Sequence, residues 1–145
     1  MIQRWHGQGG DPHYLGYFDC FNRGLFFEAH DVLEQLWLKN RHGANGSFYK
    51  GLIQLAGAFV HLQKNRLRPA AALFKLAEAN LKIYPSHYEQ LNLRELRDLA
   101  AHWLAELEGG EFKTNPLTSS NCPNITLLGE SGRAAQFWRG NEQGD

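Results

Sequence analysis

The chain has 145 residues, 43% of them hydrophobic, and its 15 Lys/Arg are balanced by 15 Asp/Glu. That length suits one domain with a single core, and the absence of net charge argues against nucleic acid or an anionic membrane as a partner. Two cysteines, Cys20 and Cys122, are too few for a disulfide scaffold; they fit a reducing compartment and leave room for at most one bridge.

The chain opens with MIQRWHGQGGDPHY, which has no apolar h-region and is not read as a signal peptide. Residues 1–16 are expected to be a flexible N-terminal segment, with Gly9-Gly10 and Asp11-Pro12 as turn signals and His6 and His13 solvated. A helical domain is expected over 17–108 and an irregular extension over 109–145. The best apolar run, GLIQLAGAFVHL, is too short and too polar to span a bilayer. A soluble, cytoplasmic protein is the expectation.

The first long helix is predicted over about 22–38, after a short helical lead-in near Tyr14. Its apolar face is Leu25, Ala29, Val32, Leu33 and Leu36, with Phe18 and Phe21 in phase ahead of it. Asn22 is the candidate N-cap and Asp19 its rival. After a Gly/Asn loop at 40–46, Ser47 caps a second helix over 48–64. Phe48, Leu52, Leu55, Phe59 and Leu62 mark one face, and Ile53, Ala56 and Val60 widen it until the helix is apolar nearly all round. Gly51 and Gly57 each cost about 1 kcal/mol of helix propensity against alanine, which points to close helix packing.

Pro69 opens a third helix to about Ile83, with Leu73, Leu76, Ala77, Leu81 and Ile83 as its face. Tyr84-Pro85 ends it. A loop follows, and Asn92, with Glu95 three residues on, caps a fourth helix to about Leu107 whose buried stripe is Leu96, Leu99, Ala100, Trp103 and Leu107. Beyond it, 113–126 reads as extended chain. Ile125, Leu127 and Leu128 are its one sticky patch, and Ala134–Trp138 has the makings of a turn or two of helix. The fold class is therefore all-α, four principal helices in a mainly antiparallel bundle.

One polar cluster stands out. His30 and Glu34 share a side of the first helix, Glu28 lies on the other flank, and Gln54 and His61 fall two turns apart on the sparse polar side of the second helix. Glu28, His30, Glu34, Gln54 and His61 are thus the candidate site, between the first two helices. The spacing is neither a zincin HExxH nor the Glu-x-x-His of di-iron bundles. Trp37 and Trp103 read as core. No cofactor-binding motif, repeat, Walker loop or GxSxG elbow occurs.

The string FFEAHDVLEQLW, followed by FYKGLIQLAGAFVHLQKNRLRPAAALF, resembles a family of small, mostly bacterial helical proteins known only as a domain of unknown function. Its motif is F-[FY]-E-x-H-[DE]-x-x-E-x-x-W, then a helix with Gln and His. Carried over residue by residue, the resemblance implies roles for Glu28, His30, Asp31, Glu34 and Trp37, then Gln54 and His61, and covers about 18–107. It departs at Pro69-Ala70, where the family often has Gly-Ala. It implies the helical fold and no activity.

Three readings of the cluster remain. It is a buried network bonded together to fix helix packing; a metal-free pocket, as in a small hydrolase-like enzyme with Glu34 and His30 as an acid–base pair; or a divalent-metal site with His30, Glu34 and His61 as ligands. Whether the protein is an enzyme stays open. A homodimer is expected, because Phe26, Phe27 and Tyr49 read as exposed beside an all-apolar second helix.

Overall fold

In a computed structural model, which describes residues 11–128, the chain forms an antiparallel helical bundle. Helix α1 spans Pro12–Asn22, α2 Phe26–Asn40, α3 Gly46–Gln63, α4 Leu67–Leu81 and α5 Leu93–Gly109. Strands β1 (His87–Tyr88) and β2 (Leu91–Asn92) form a small antiparallel hairpin before α5. His6 and the segment Ala134–Trp138 lie outside the described residues.

The fold class agrees with the sequence, but its N-terminal part is divided differently. The lead-in is a full helix that begins at Pro12, with Asp11 Oδ1 accepting from the His13 amide at 2.7 Å. The expected helix over 22–38 is cut at its start by a turn. Gly24 takes a φ of +76°, its N–H donates to Phe21 O at 3.0 Å, and the Leu25 N–H donates to Cys20 O at 2.9 Å. This pair of bonds ends a helix with a left-handed residue, a conformation that glycine adopts without a Cβ penalty. Asn65, at φ 57°, ends α3 the same way, with the Arg66 N–H reaching His61 O at 2.8 Å. Asn22 is not an N-cap. Its side chain pairs with the C-terminal extension instead, donating to Ile125 O at 2.8 Å and accepting from the Ile125 N–H at 2.7 Å.

Asn45, rather than Ser47, occupies the α3 N-cap position. Its side chain is engaged with the hairpin, accepting from Tyr88 Oη and donating to Glu89 Oε2. Pro69 falls in the first turn of α4, two residues past its start. The Asn92 cap forms as expected, accepting from the Glu95 N–H at 3.2 Å. The hairpin was not foreseen. Its turn residues, Glu89 and Gln90, both have positive φ, the geometry of a tight hairpin turn that usually calls for Asn-Gly. Here tertiary bonds hold it: Tyr14 Oη donates to Glu89 O at 2.6 Å and the Leu128 N–H to Gln90 O at 2.9 Å.

Helix α3 lies at the centre. Phe59 stacks on Phe26 of α2 at 5.0 Å and meets Phe21 of α1, Phe74 of α4 and Trp103 of α5 edge-on at 5.1–5.6 Å. Such ring geometries add to the apolar area buried. At the other end of α3, Phe48 packs among Tyr14, Tyr84 and Tyr88. Phe26, expected on the surface, is fully buried in this core. The α4 face is also rotated from expectation. Ala70, Ala71, Phe74, Ala77 and Leu81 point inward, while Leu76 and Ile83 are 49% and 65% exposed. Phe74 next to small alanines lets α4 approach α3 closely, and that geometry turns Leu76 out. Ile125 and Leu127 of the extension are buried against the bundle.

Candidate functional site

The five candidate residues do not converge as one network. His30, Gln54 and His61 line a common groove; Glu28 and Glu34 do not. Glu28 is exposed and faces α1, where its charge and that of Asp19 add to burial in raising the Cys20 thiol pKa. Glu34 is half-buried one turn beyond His30. Among the described residues no hydrogen bond joins any of the five to another, and no polar or charged residue is fully buried. Gln54 is bonded elsewhere, its Oε1 accepting from Asn80 Nδ2 of α4 at 2.7 Å. The buried-network expectation therefore fails on geometry: α2 turns its two carboxylates away from the strip of α3 that carries Gln54 and His61.

The groove encloses about 290 Å³ on the outer face of α3, between α2 and α4. Its walls are apolar: Ile53 and Val60 from α3, Leu73 from α4 and Phe27 from α2. Gly57 is the floor. A Cβ there would stand 3.3 Å from Leu73 Cδ1 and 3.8 Å from His30 Cδ2, so the absent side chain is what leaves the space open. Phe27 forms the lip, 60% exposed and with its ring nearly parallel to that of His30 at 6.4 Å. Lys64 closes the end nearest His61.

Both imidazoles have the same arrangement. Nδ1 of His30 and Nδ1 of His61 are buried and have no hydrogen-bond partner among the described residues. An orphaned buried N–H is rarer and costlier than an unpaired lone pair, so the neutral form of each ring favours the tautomer with its proton on Nε2, an N–H donor. Burial holds the His61 pKa below the ordinary histidine range, with the Arg66 and Lys64 charges adding to the effect. The metal reading meets two obstacles. Among the described residues no three His, Cys, Asp or Glu side chains are grouped to hold an ion. A histidine that ligates through Nε2 also normally donates Nδ1–H to a partner, and neither ring has one. No carboxylate, hydroxyl or thiol lines the groove, so the Glu34–His30 acid–base pair is not presented there.

Trp37, expected in the core, is only half-buried, with Lys50 Nζ at 5.2 Å and the Arg41 guanidinium at 6.0 Å from its ring centre. Trp103 is core. Both cysteines are free thiols. No helix among the described residues is long and apolar enough to cross a membrane. Phe27, Gly57, Lys64 and Leu73 were missing from the sequence-derived site. Gly57 was the available signal, since a glycine in mid-helix marks either close packing or open space.

Residues 14–82 match the family described as "Domain of unknown function (DUF309)". The match runs from the third residue of α1 to the end of α4, includes every groove residue, and stops short of the hairpin, α5 and the extension. The chain is thus similar to an uncharacterised helical domain family. An "Uncharacterized protein" of Aquifex aeolicus (strain VF5) is 28% identical over 97 residues, covering 67% of this chain and 28% of that protein. The chain therefore spans well under a third of that relative's length. No solved structure matches it.

Proposed function

We propose that this chain is a helical binding module whose working surface is the groove between α2, α3 and α4. The observation that carries the reading is the Gly57 floor beneath apolar walls, with Phe27 held out at the lip at 60% exposure. A concave, mostly apolar space with a few polar groups converging on it is the usual form of a small-ligand site. The groove is at the small end of such sites, about 300–1,000 Å³, so the occupant is a small molecule or a single side chain of a partner. Amide chemical shifts recorded against a set of small apolar fragments test the reading. Perturbations should concentrate on residues 27–30, 53–64 and 73; a response centred elsewhere, or none at all, rejects it.

A second reading, self-association as a homodimer, is favoured by a separate observation. Leu76 on α4 and Ile83, two residues past its end, are 49% and 65% exposed. Exposed apolar side chains of this size are surface that a second copy can cover. Sedimentation equilibrium should give twice the monomer mass, and Leu76→Ser should shift the protein toward monomer. A monomer mass for the unaltered chain at tens of micromolar rejects this reading.

A further inference from the structure

The groove has two chemically distinct ends. Its stretch from Gly57 to Ile53 is lined by aliphatic groups and by Gln54, whose Oε1 is taken up by Asn80. His30 stands against Gly57 at mid-length, and His61 and Lys64 lie beyond it on α3. Gln63 Nε2 donates to Gly24 O at 3.0 Å, which sets the C-terminal end of α3 beside the start of α2; only residues 64–66 separate α3 from α4. Two helix N-termini therefore flank the Lys64 end, and neither has a side-chain cap. The carbonyls of the opposing α3 C-terminus are occupied by the amides of residues 64–66 and, at Leu62, also by Asn115 Nδ2 at 2.6 Å. The Arg66 and Lys64 charges are both felt at His61. Glu28, in the first turn of α2, is exposed and does not line the groove. This end is positive and rich in donors.

We propose that the groove binds a small amphiphilic carboxylate, its head at Lys64 and the Nε2–H of His61, its aliphatic tail along Val60, Gly57 and Ile53 beside the His30 ring. This rests on the reading of the groove as a binding surface. The tautomer argument separates this ligand from its alternatives. With Nδ1 buried and unpartnered in both rings, the Nε2 positions are donors. Donors pair with an acceptor such as a carboxylate and repel a primary ammonium. A bare apolar compound would leave them unpaired, at the cost of desolvating them.

Three probes with one tail and different heads test the assignment: octanoate, octanol and octylamine, each titrated into the intact chain and followed by amide shifts and calorimetry. Octanoate should saturate at groove residues and bind at least about tenfold more tightly than octylamine, as expected for charge-assisted pairing. Lys64 is exposed, so Lys64→Met should leave the fold intact; it should weaken octanoate about fivefold and leave octanol unchanged. His61→Gln retains a donor and should weaken octanoate less than His61→Phe does. Equal binding of all three probes overturns the carboxylate assignment and leaves the groove as a binding site. If none of the three moves a groove resonance, both readings fall.

Discussion

Phe59 and Gly57 are two residues apart on α3 and show what its two sides are for. The Phe59 ring is surrounded by rings from each of the other four helices. Gly57 faces outward between α2 and α4, with no side chain of its own and only Leu73 and His30 within reach. The helix is apolar nearly all round, and only a sparse polar line, Gln54 and His61, marks the Gly57 side. What separates them is whether a neighbour supplies matching surface. On the inner side four helices do. On the outer side α2 and α4 leave a trough, and its polar groups are His30, His61, Gln54 and Lys64, with no carboxylate among them.

The comparison can be broken most directly at its inner pole. Phe59→Ala should cost about 3–5 kcal/mol in urea unfolding, because the cavity opens at the meeting point of five aromatic residues; a loss below about 1 kcal/mol would show that the core does not depend on it. Gly51→Ala comes next. Its Cβ would stand 2.8 Å from Leu81 Cγ and 3.3 Å from Ala77 O, an overpacked contact expected to cost about 1–3 kcal/mol. Gly57→Ala sharpens the contrast on the same helix. Leu73 can yield into the groove and the helix gains propensity, so stability should stay within about 1 kcal/mol of the original, while fragment shifts at the groove shrink.

Smaller still is Glu34→Ala. Glu34 is half-buried and makes no hydrogen bond among the described residues, so the change should stay within about 0.5 kcal/mol; a larger loss would restore the buried-network reading. The last effect is one of pH. His61 has its folded pKa lowered by burial, with Arg66 and Lys64 adding. Below about 6.5 the unfolded chain takes up a proton that the native ring resists. Stability from this group therefore falls as pH drops through that value and is unaffected above it. Urea midpoints from pH 8 to 5 should show a shallower decline in His61→Gln than in the original, and identical slopes would remove the claim.

Much of the bundle was readable from residue spacing. Ala29, Leu33 and Leu36 on α2, the faces of α3 and α5, the Asn92 cap and the docking of Ile125 and Leu127 follow from periodicity and polarity acting within one segment or against any apolar partner. Leu25, expected on the α2 face, is 37% exposed, and Phe26 is buried in its stead. The break at Gly24 carried a local signal, Asn22-Arg23-Gly24, that continuous helical phasing on both sides concealed. The Glu89–Gln90 turn carried none, because its positive φ angles are held by bonds from Tyr14, Asn45 and Leu128, which are distant in sequence.

The candidate site divides along the same line. Gln54 and His61 were placed on one line of α3, and His30 beside Glu34 on α2, because helical spacing determines which residues of a single helix share a face. Whether Glu28 and Glu34 joined them depended on the rotation of α2 against α3, and that angle is set by the packing of Phe26, Ala29 and Leu33, not by the polar residues. Exposure of Leu76 and Ile83 depended likewise on how closely the alanines of α4 let it approach α3. Periodicity acts within a helix and is written in the sequence. The relative rotation of two helices is decided by how the whole core fills space, so the groove, its glycine floor and its positive end emerge only in the folded chain.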